Sequence, residues 1–258
     1  MSGKDDEGGK MQLIKAGARV QGRDLSEQDW SVADLPGVVL EECLITGAAF
    51  SNAVLEEAVF RRCRFMSCRF AHSDLRDAVF EDCVFSGSDG QPGAAFAFCR
   101  MEQARLLRCD LRRARFDGSD LYGAAFENCN LMGAHFHRTG FSKAFSKSVV
   151  RSAGAFKGCN LELAEMSGVR LPGLDLTGCR LREADLSGAD LEGADLTGAD
   201  LFQADLTDAR LARADLREAE LSGLDPRVLA TFEDTKITLS QQHLLLTAMG
   251  FDVHPDPA

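Results

Sequence analysis

Residues 184–221 read ADLSG ADLEG ADLTG ADLFQ ADLTD ARLAR ADLRE AEL, an unbroken period of five. The central apolar position, here called i, is filled by Leu181, Leu186, Leu191, Leu196, Leu201, Leu206, Leu211, Leu216 and Leu221. A small residue, usually Ala, stands two places earlier. Upstream the same phase holds from Phe96 and Met101 through Phe116, Phe126 and Phe136 to Phe141. Before residue 86 the period persists, shifted by one, from Leu25 and Trp30 through Phe50, Phe60 and Phe70 to Phe85. Helices repeat every 3.6 residues or so and strands every two. On a helix, positions five apart drift by about 140° per step. A chain that turns a corner every five residues instead keeps i and i−2 inward and the other three positions outward.

The cysteines support that reading. All nine (Cys43, Cys63, Cys68, Cys83, Cys99, Cys109, Cys129, Cys159 and Cys179) fall two residues before a position i. Such a thiol acts as a small buried hydrophobe. Zinc ligation or disulfide pairing would not confine all nine to one phase, and no CxxC pair has zinc-like spacing.

With four five-residue sides per coil, residues twenty apart stack. The phase shift between Phe85 and Phe96 is an insertion of one residue or six. Six places Phe50, Phe70, Phe96, Phe116, Phe136 and Phe156 in one column, and Cys43, Cys63, Cys83, Cys109 and Cys129 in another. The expectation is therefore a surface loop at about residues 87–93, including Ser88, Asp89, Gln91 and Pro92, in the turn-rich segment SGSDGQPGAA. A second irregularity spans residues 142–155, where strict phase would bury Arg151 without a partner. A bulge or a local bend is expected there, with Phe145 and Val150 turned inward. About ten coils follow, a rod of roughly 45–50 Å at about 4.8 Å per coil.

The motif A(D/N)Lxx, repeated over about residues 20–225, resembles the pentapeptide-repeat family. The resemblance implies an all-β solenoid, a right-handed quadrilateral β-helix. The organisation expected is a polar tail without order at residues 1–10, repeats over 11–225, and a cap over 226–258. The repeat stops at Leu221. Thr238 and Gln241 then form a capping-box pattern, and residues 239–249 fit a short helix ended by Gly250. Leu244, Leu245, Leu246, Met249, Phe251 and Val253 are apolar enough to cap the last coil, and a patch of that kind also suits a subunit interface.

A rod ending in QxxLLLxxMGFDV resembles the bacterial quinolone-resistance proteins of the Qnr and MfpA kind. That likeness implies a tail-to-tail homodimer through Leu244, Leu245, Met249, Phe251 and Val253. It also implies mimicry of B-DNA, and binding to DNA gyrase or topoisomerase IV that opposes fluoroquinolones or a self-made poison. The chain departs from that kind in its length, its acidic N-terminal stretch, and the lack of an obvious second inserted loop.

Charge bears on the partner. The net charge is −11, which argues against nucleic-acid binding and suits a basic partner surface. Residues 181–225 carry 4 basic and 12 acidic side chains, net −8, whereas residues 61–180 carry 18 and 13, net +5. Position i−1 in the last coils is Asp185, Asp190, Asp195, Asp200, Asp205 and Asp215, all expected to point outward as an acidic band. The repeat alone would equally serve a scaffold rod with an unrelated partner.

No sign of catalysis appears. Acidic residues are spread at repeat spacing, and no P-loop, GxSxG or GxGxxG stands in a strand-to-helix setting. His135 and His137 form an H-x-H pair without an evident third ligand. Neither metal nor cofactor is expected. No apolar run reaches the roughly 20 residues that span a bilayer. The polar N-terminus lacks the apolar core of a signal peptide, so the expected compartment is the cytoplasm.

Overall fold

The computed structural model describes residues 14–85, 93–144 and 150–254. They wind as a four-sided β-solenoid closed by one C-terminal helix. The short strands are β1 (Arg19–Gln21), β2 (Val39–Glu41), β3 (Leu44–Thr46), β4 (Val59–Arg61), β5 (Arg64–Met66) and β6 (Arg69–Ala71). They continue with β7 (Val79–Glu81), β8 (Ala95–Ala97), β9 (Arg105–Leu107), β10 (Ala125–Glu127), β11 (Ser142–Ala144) and β12 (Val150–Ser152). The first face stacks Arg19, Val39, Val59, Val79, Arg105, Ala125, Ala155, Asp175, Asp195, Asp215 and Lys236 in parallel register. A continuous sheet, β1-β2-β4-β7-β9-β10, spans only the first six of these rungs, five steps. Beyond Ala125 the coils are joined by single bridges, so regular sheet occupies about half of the ten-coil span expected. The reason is composition: β-branched and aromatic side chains fill the N-terminal rungs, while Ala-Asp-Leu units with glycine corners fill the rest.

The core is a stack of layers. Most i and i−2 positions described between Leu25 and Leu224 are buried, with Gln28, Ala33, Gly154 and Ala204 half-buried. Phe50, Phe70, Phe96, Phe116 and Phe136 lie face to face, with successive centroids 4.4, 4.8, 5.1 and 5.1 Å apart. Offset-stacked rings of this kind add about 0.5–1.5 kcal/mol each beyond their buried area. All nine cysteines are free and buried. Their thiols donate to the carbonyl of a position-i residue in the coil below: Cys63 to Leu40 and Cys83 to Phe60, both at 3.3 Å. Ser119 and Thr139 do the same from their hydroxyls, to Phe96 at 2.8 Å and Phe116 at 3.1 Å. The slot thus selects a small side chain, with a donor as an option. Burial pushes the Cys68 thiol up to about 11 and those of Cys99 and Cys179 up to about 12.

Corners have a fixed backbone. The residue two after nearly every described i adopts positive φ, from Gly193 (+67°) and Gly198 (+65°) to Arg62 (+51°) and Val32 (+49°). Its N–H bonds to the next coil, as Gly188 does to the Thr207 carbonyl at 2.7 Å. Glycine is favoured there because a side chain costs about 1–2 kcal/mol in this region.

The first insertion is six residues long: β6 pairs with β8 through Phe70 and Phe96, and β7 with β9 through Phe80 and Leu106. Ser88, Asp89, Gln91 and Pro92 lie outside the described residues. Gly93 returns the chain to the coil where a Cβ would stand 2.4 Å from the Arg112 carbonyl oxygen.

The second irregularity differs from expectation. It is neither bulge nor bend but a ten-residue insertion. Ala125 pairs with Ala155, Asn130 with Asn160 and His135 with Glu165, each thirty apart. The extra residues leave the coil as an antiparallel hairpin of β11 and β12. Phe156 therefore stacks on Phe126, at 4.9 Å and 9°, and meets Phe136 edge-on at 89°. The Phe column expected to run from Phe50 to Phe156 ends at Phe136. The same shift carries the Cys129 column on through Cys159 and Cys179. Phe145 falls outside the described residues. The second inserted segment that the sequence seemed to lack is this hairpin. Ala124 leaves no room above Gly154, where a Cβ would lie 2.9 Å from its carbonyl oxygen.

Coil pairing continues past Leu221, with Arg210 beside Thr231 and Asp215 beside Lys236. Helix α1 (Leu239–Ala248) then closes the end. The Thr238 N–H donates to Gln241 Oε1 at 2.7 Å. Gln241 Nε2 donates to the carbonyls of Leu216 and Ala219 at 2.7 and 2.8 Å, satisfying backbone that the last coil would otherwise leave open.

Candidate partner-binding surface

The acidic residues of the last coils have a local job that sequence reading missed. Each i−1 aspartate accepts the N–H two residues on: Asp185 from Ser187, Asp190 from Glu192, Asp195 from Thr197, Asp200 from Phe202, Asp205 from Thr207 and Asp215 from Arg217, at 2.9–3.3 Å. These are Asx turns. Asn130 and Asn160 make the same bond to Met132 and Glu162. The preference for Asp or Asn at i−1 is therefore a corner requirement.

The six aspartates encircle the rod. Asp195 and Asp215 share the first face with Asp175, and Asp200 lies on the second between Arg180 and Glu220. Asp185 and Asp205 extend a third-face row from Glu165, and Asp190 lies on the fourth between Arg170 and Arg210. They do not all project freely. Asp215 is only 9% exposed, held by Arg217 at 2.8 Å and Lys236 at 3.7 Å. The Arg217 hydrogen bond lowers its pKa to about 2. Asp190 stands 3.9 Å from both Arg170 and Arg210, and Asp200 3.1 Å from Arg182. Among the described residues, no lysine or arginine pairs with Asp175, Asp185, Asp195 or Asp205. The carboxylates without such a partner thus form two rows, Asp175–Asp195 and Asp185–Asp205, on opposite faces. Small corners (Gly168, Gly178, Gly188, Gly198) leave both rows open. The basic excess of residues 61–180 is partly tied up: Arg61 spans Glu41 and Glu81, and Arg108 holds Glu81 and Asp82.

The C-terminal end is apolar. Leu244 and Leu245 pack back against the core, so they cap first. Met249 lines a groove with Leu211, Leu216, Phe232, Ile237 and Leu245. Phe251 is 57% exposed and Leu239 87%, while Val253 is half-buried. Phe232, Ile237 and Leu239 enlarge the patch beyond the five residues picked from sequence; they follow the last consensus repeat and carry no periodic signal.

His135 Nδ1 lies 2.7 Å from Glu165 Oε2, one coil above, while His137 is exposed. Among the described residues no group of three or more His, Cys, Asp or Glu could hold a metal, and no helix is long and apolar enough to cross a membrane.

A coil of five-residue sides, with a small and a large residue turned inward on each, defines a class: the repeat solenoids. The chain belongs to the pentapeptide-repeat family. The pentapeptide repeat region matches residues 58–136, and eight-copy pentapeptide repeats match residues 31–62, 159–198 and 194–225. The unmatched stretch between them contains the hairpin. Among solved structures the chain is similar to full-length QnrB1, a plasmid-mediated fluoroquinolone resistance protein. They share 24% identity over 90% of this chain and 97% of that one, with a TM-score of 0.68. A trypsin-treated QnrB1 variant aligns at 22% identity over 94% and 100%, with a TM-score of 0.66. At that identity the likeness is one of fold. No curated protein matches.

Proposed function

We propose that this rod binds a type II topoisomerase, DNA gyrase or topoisomerase IV, as a DNA mimic and shields it from poisons such as fluoroquinolones. The observation that carries the reading is the pair of uncompensated acidic rows, rising along a rigid rod at one carboxylate per coil. A duplex carries one charge per about 1.7 Å, so each row is a sparser version. The fold shared with a fluoroquinolone resistance protein supports the same reading. In it the chain is non-catalytic, acts in the cytoplasm beside its target, and dimerises through the C-terminal apolar patch, bringing two acidic zones together. The loop at 87–93 tunes protection.

The Asx-turn role of the six i−1 aspartates in the last coils favours a second reading, a scaffold rod whose acidity follows from its corners. One experiment separates the two. Gyrase supercoiling and ciprofloxacin-stabilised cleavage are measured with wild type and with Asp175, Asp185, Asp195 and Asp205 all changed to Asn. Mimicry requires protection by the wild type, weakened in the variant and by added salt. Wild-type protein without effect at low salt leaves the scaffold.

A further inference from the structure

The hairpin has a consequence for the coil beneath it. Elsewhere on the fourth face neighbouring coils are laced together: the Gly118 N–H donates to His137, Leu121 to Gly140, Asp190 to Val169 and Leu171 to Asp190, at 2.7–3.0 Å. Between Gly140 and Arg170 the lacing stops. Asp120 bridges to Gly140 and Arg170 to Asp190, but Gly140 and Arg170 do not pair. Among the described residues, the N–H groups of Arg138, Phe141 and Arg170 have no acceptor, and the carbonyls of Thr139, Ser167 and Arg170 have no donor. The two coils part around a cleft of about 350 Å³, lined by Arg138, Thr139, Gly140, Ser142, Ser167 and Arg170 among others.

Three free amides open on the gap, and Arg138 and Arg170 are among its lining residues, a combination that suits an anion. Arg138 has no carboxylate partner among the described residues, and Arg170 reaches Asp190 only at 3.9 Å, a carboxylate it shares with Arg210. Lys143 is engaged elsewhere, 3.1 Å from Glu102 and 4.0 Å from Asp120. The volume exceeds what an inorganic anion fills and falls in the range of small-molecule sites. The unused carbonyls call for a ligand that also donates.

We propose that this cleft binds a phosphate monoester bearing hydroxyl groups, of the sugar-phosphate class. The phosphoryl group meets the amides and the arginines, and the hydroxyls donate to the carbonyls of Thr139 and Ser167.

The test is calorimetric titration of the full chain with ribose 5-phosphate, inorganic phosphate and ribose, with no topoisomerase present, so that it stands apart from the proposed function. Wild type binds ribose 5-phosphate at one site. Changing Arg138→Gln and Arg170→Gln together weakens that binding at least about tenfold, since charge-assisted contacts are the strong ones. Changing Arg64→Gln and Arg113→Gln, away from the cleft, leaves it unchanged. Ribose alone gives no saturable heat. Inorganic phosphate binding as tightly as the ester assigns the site to the free anion while keeping its chemistry. The proposal is overturned if neither phosphate compound saturates by about 10 mM, which is four decades weaker than a micromolar site, or if the folded cleft variant binds like wild type.

Discussion

Phe126 lies flat on Phe156, centroids 4.9 Å apart and ring planes within 9°, although thirty residues separate them where twenty separate Phe96 from Phe116. The coil therefore treats ten residues as absent. Excising residues 142–151 restores a spacing of twenty and should leave the far-ultraviolet spectrum and cooperative unfolding intact. Glu102 loses Lys143, its partner at 3.1 Å, so a drop of a few degrees in Tm is expected, at about 2–4 °C per kcal/mol for a chain of this size. Loss of the cooperative transition would mean that the segment is part of the coil.

Asp185 tests charge against turn. Its Oδ1 accepts the Ser187 N–H at 3.0 Å and the Ser187 hydroxyl at 2.6 Å. Asp185→Asn keeps an acceptor, as Asn130 and Asn160 do, and should unfold in urea like wild type. Asp185→Ala removes it and should cost about 0.5–1.5 kcal/mol. Equal midpoints for Asn and Ala would remove the corner role.

The buried thiols set an alkaline limit. Cys68, Cys99 and Cys179 have folded pKa values of about 11, 12 and 12, against 9.0 as the ordinary value. Above pH 9 the unfolded chain releases these protons and the folded chain keeps them. Their stabilisation is complete below pH 9 and lost as pH rises through 11–12. Between pH 9 and 10 each thiol should remove about 1 kcal/mol. Urea midpoints should fall over that interval, and less so in Cys68→Ala. Native protein should also react slowly with a thiol reagent and expose nine groups on denaturation.

Gln241 closes the last coil through two hydrogen bonds to the Leu216 and Ala219 carbonyls. Gln241→Ala leaves both acceptors buried and should cost about 1–3 kcal/mol, with amide exchange rising first in residues 211–224. Deleting residues 239–258 removes the helix and its share of the patch, leaving Phe232 and Ile237. Sedimentation should then give a monomer or an aggregate, and a soluble dimer would place the interface elsewhere.

The solenoid was legible because its signal is redundant: dozens of i and i−2 positions repeat one inward pattern, and stacking distinguished six inserted residues from one. The second insertion escaped because ten is itself a multiple of five. Phe136 and Phe156 stay in phase whether or not a hairpin intervenes, and only the partner of Phe156 reveals it. The end residues Phe232, Ile237 and Leu239 lie beyond the consensus repeats. The corner bond of the aspartates recurs through the last coils but reads in the sequence as mere surface charge.

The unlaced stretch between Gly140 and Arg170 also gives the rod a mechanical identity. A beam of hydrogen-bonded coils resists bending equally until one wall is cut. With three walls joined and the fourth open, compliance concentrates at that notch, and force applied to the two ends should flex the molecule there, widening the cut wall while the opposite face serves as the fulcrum.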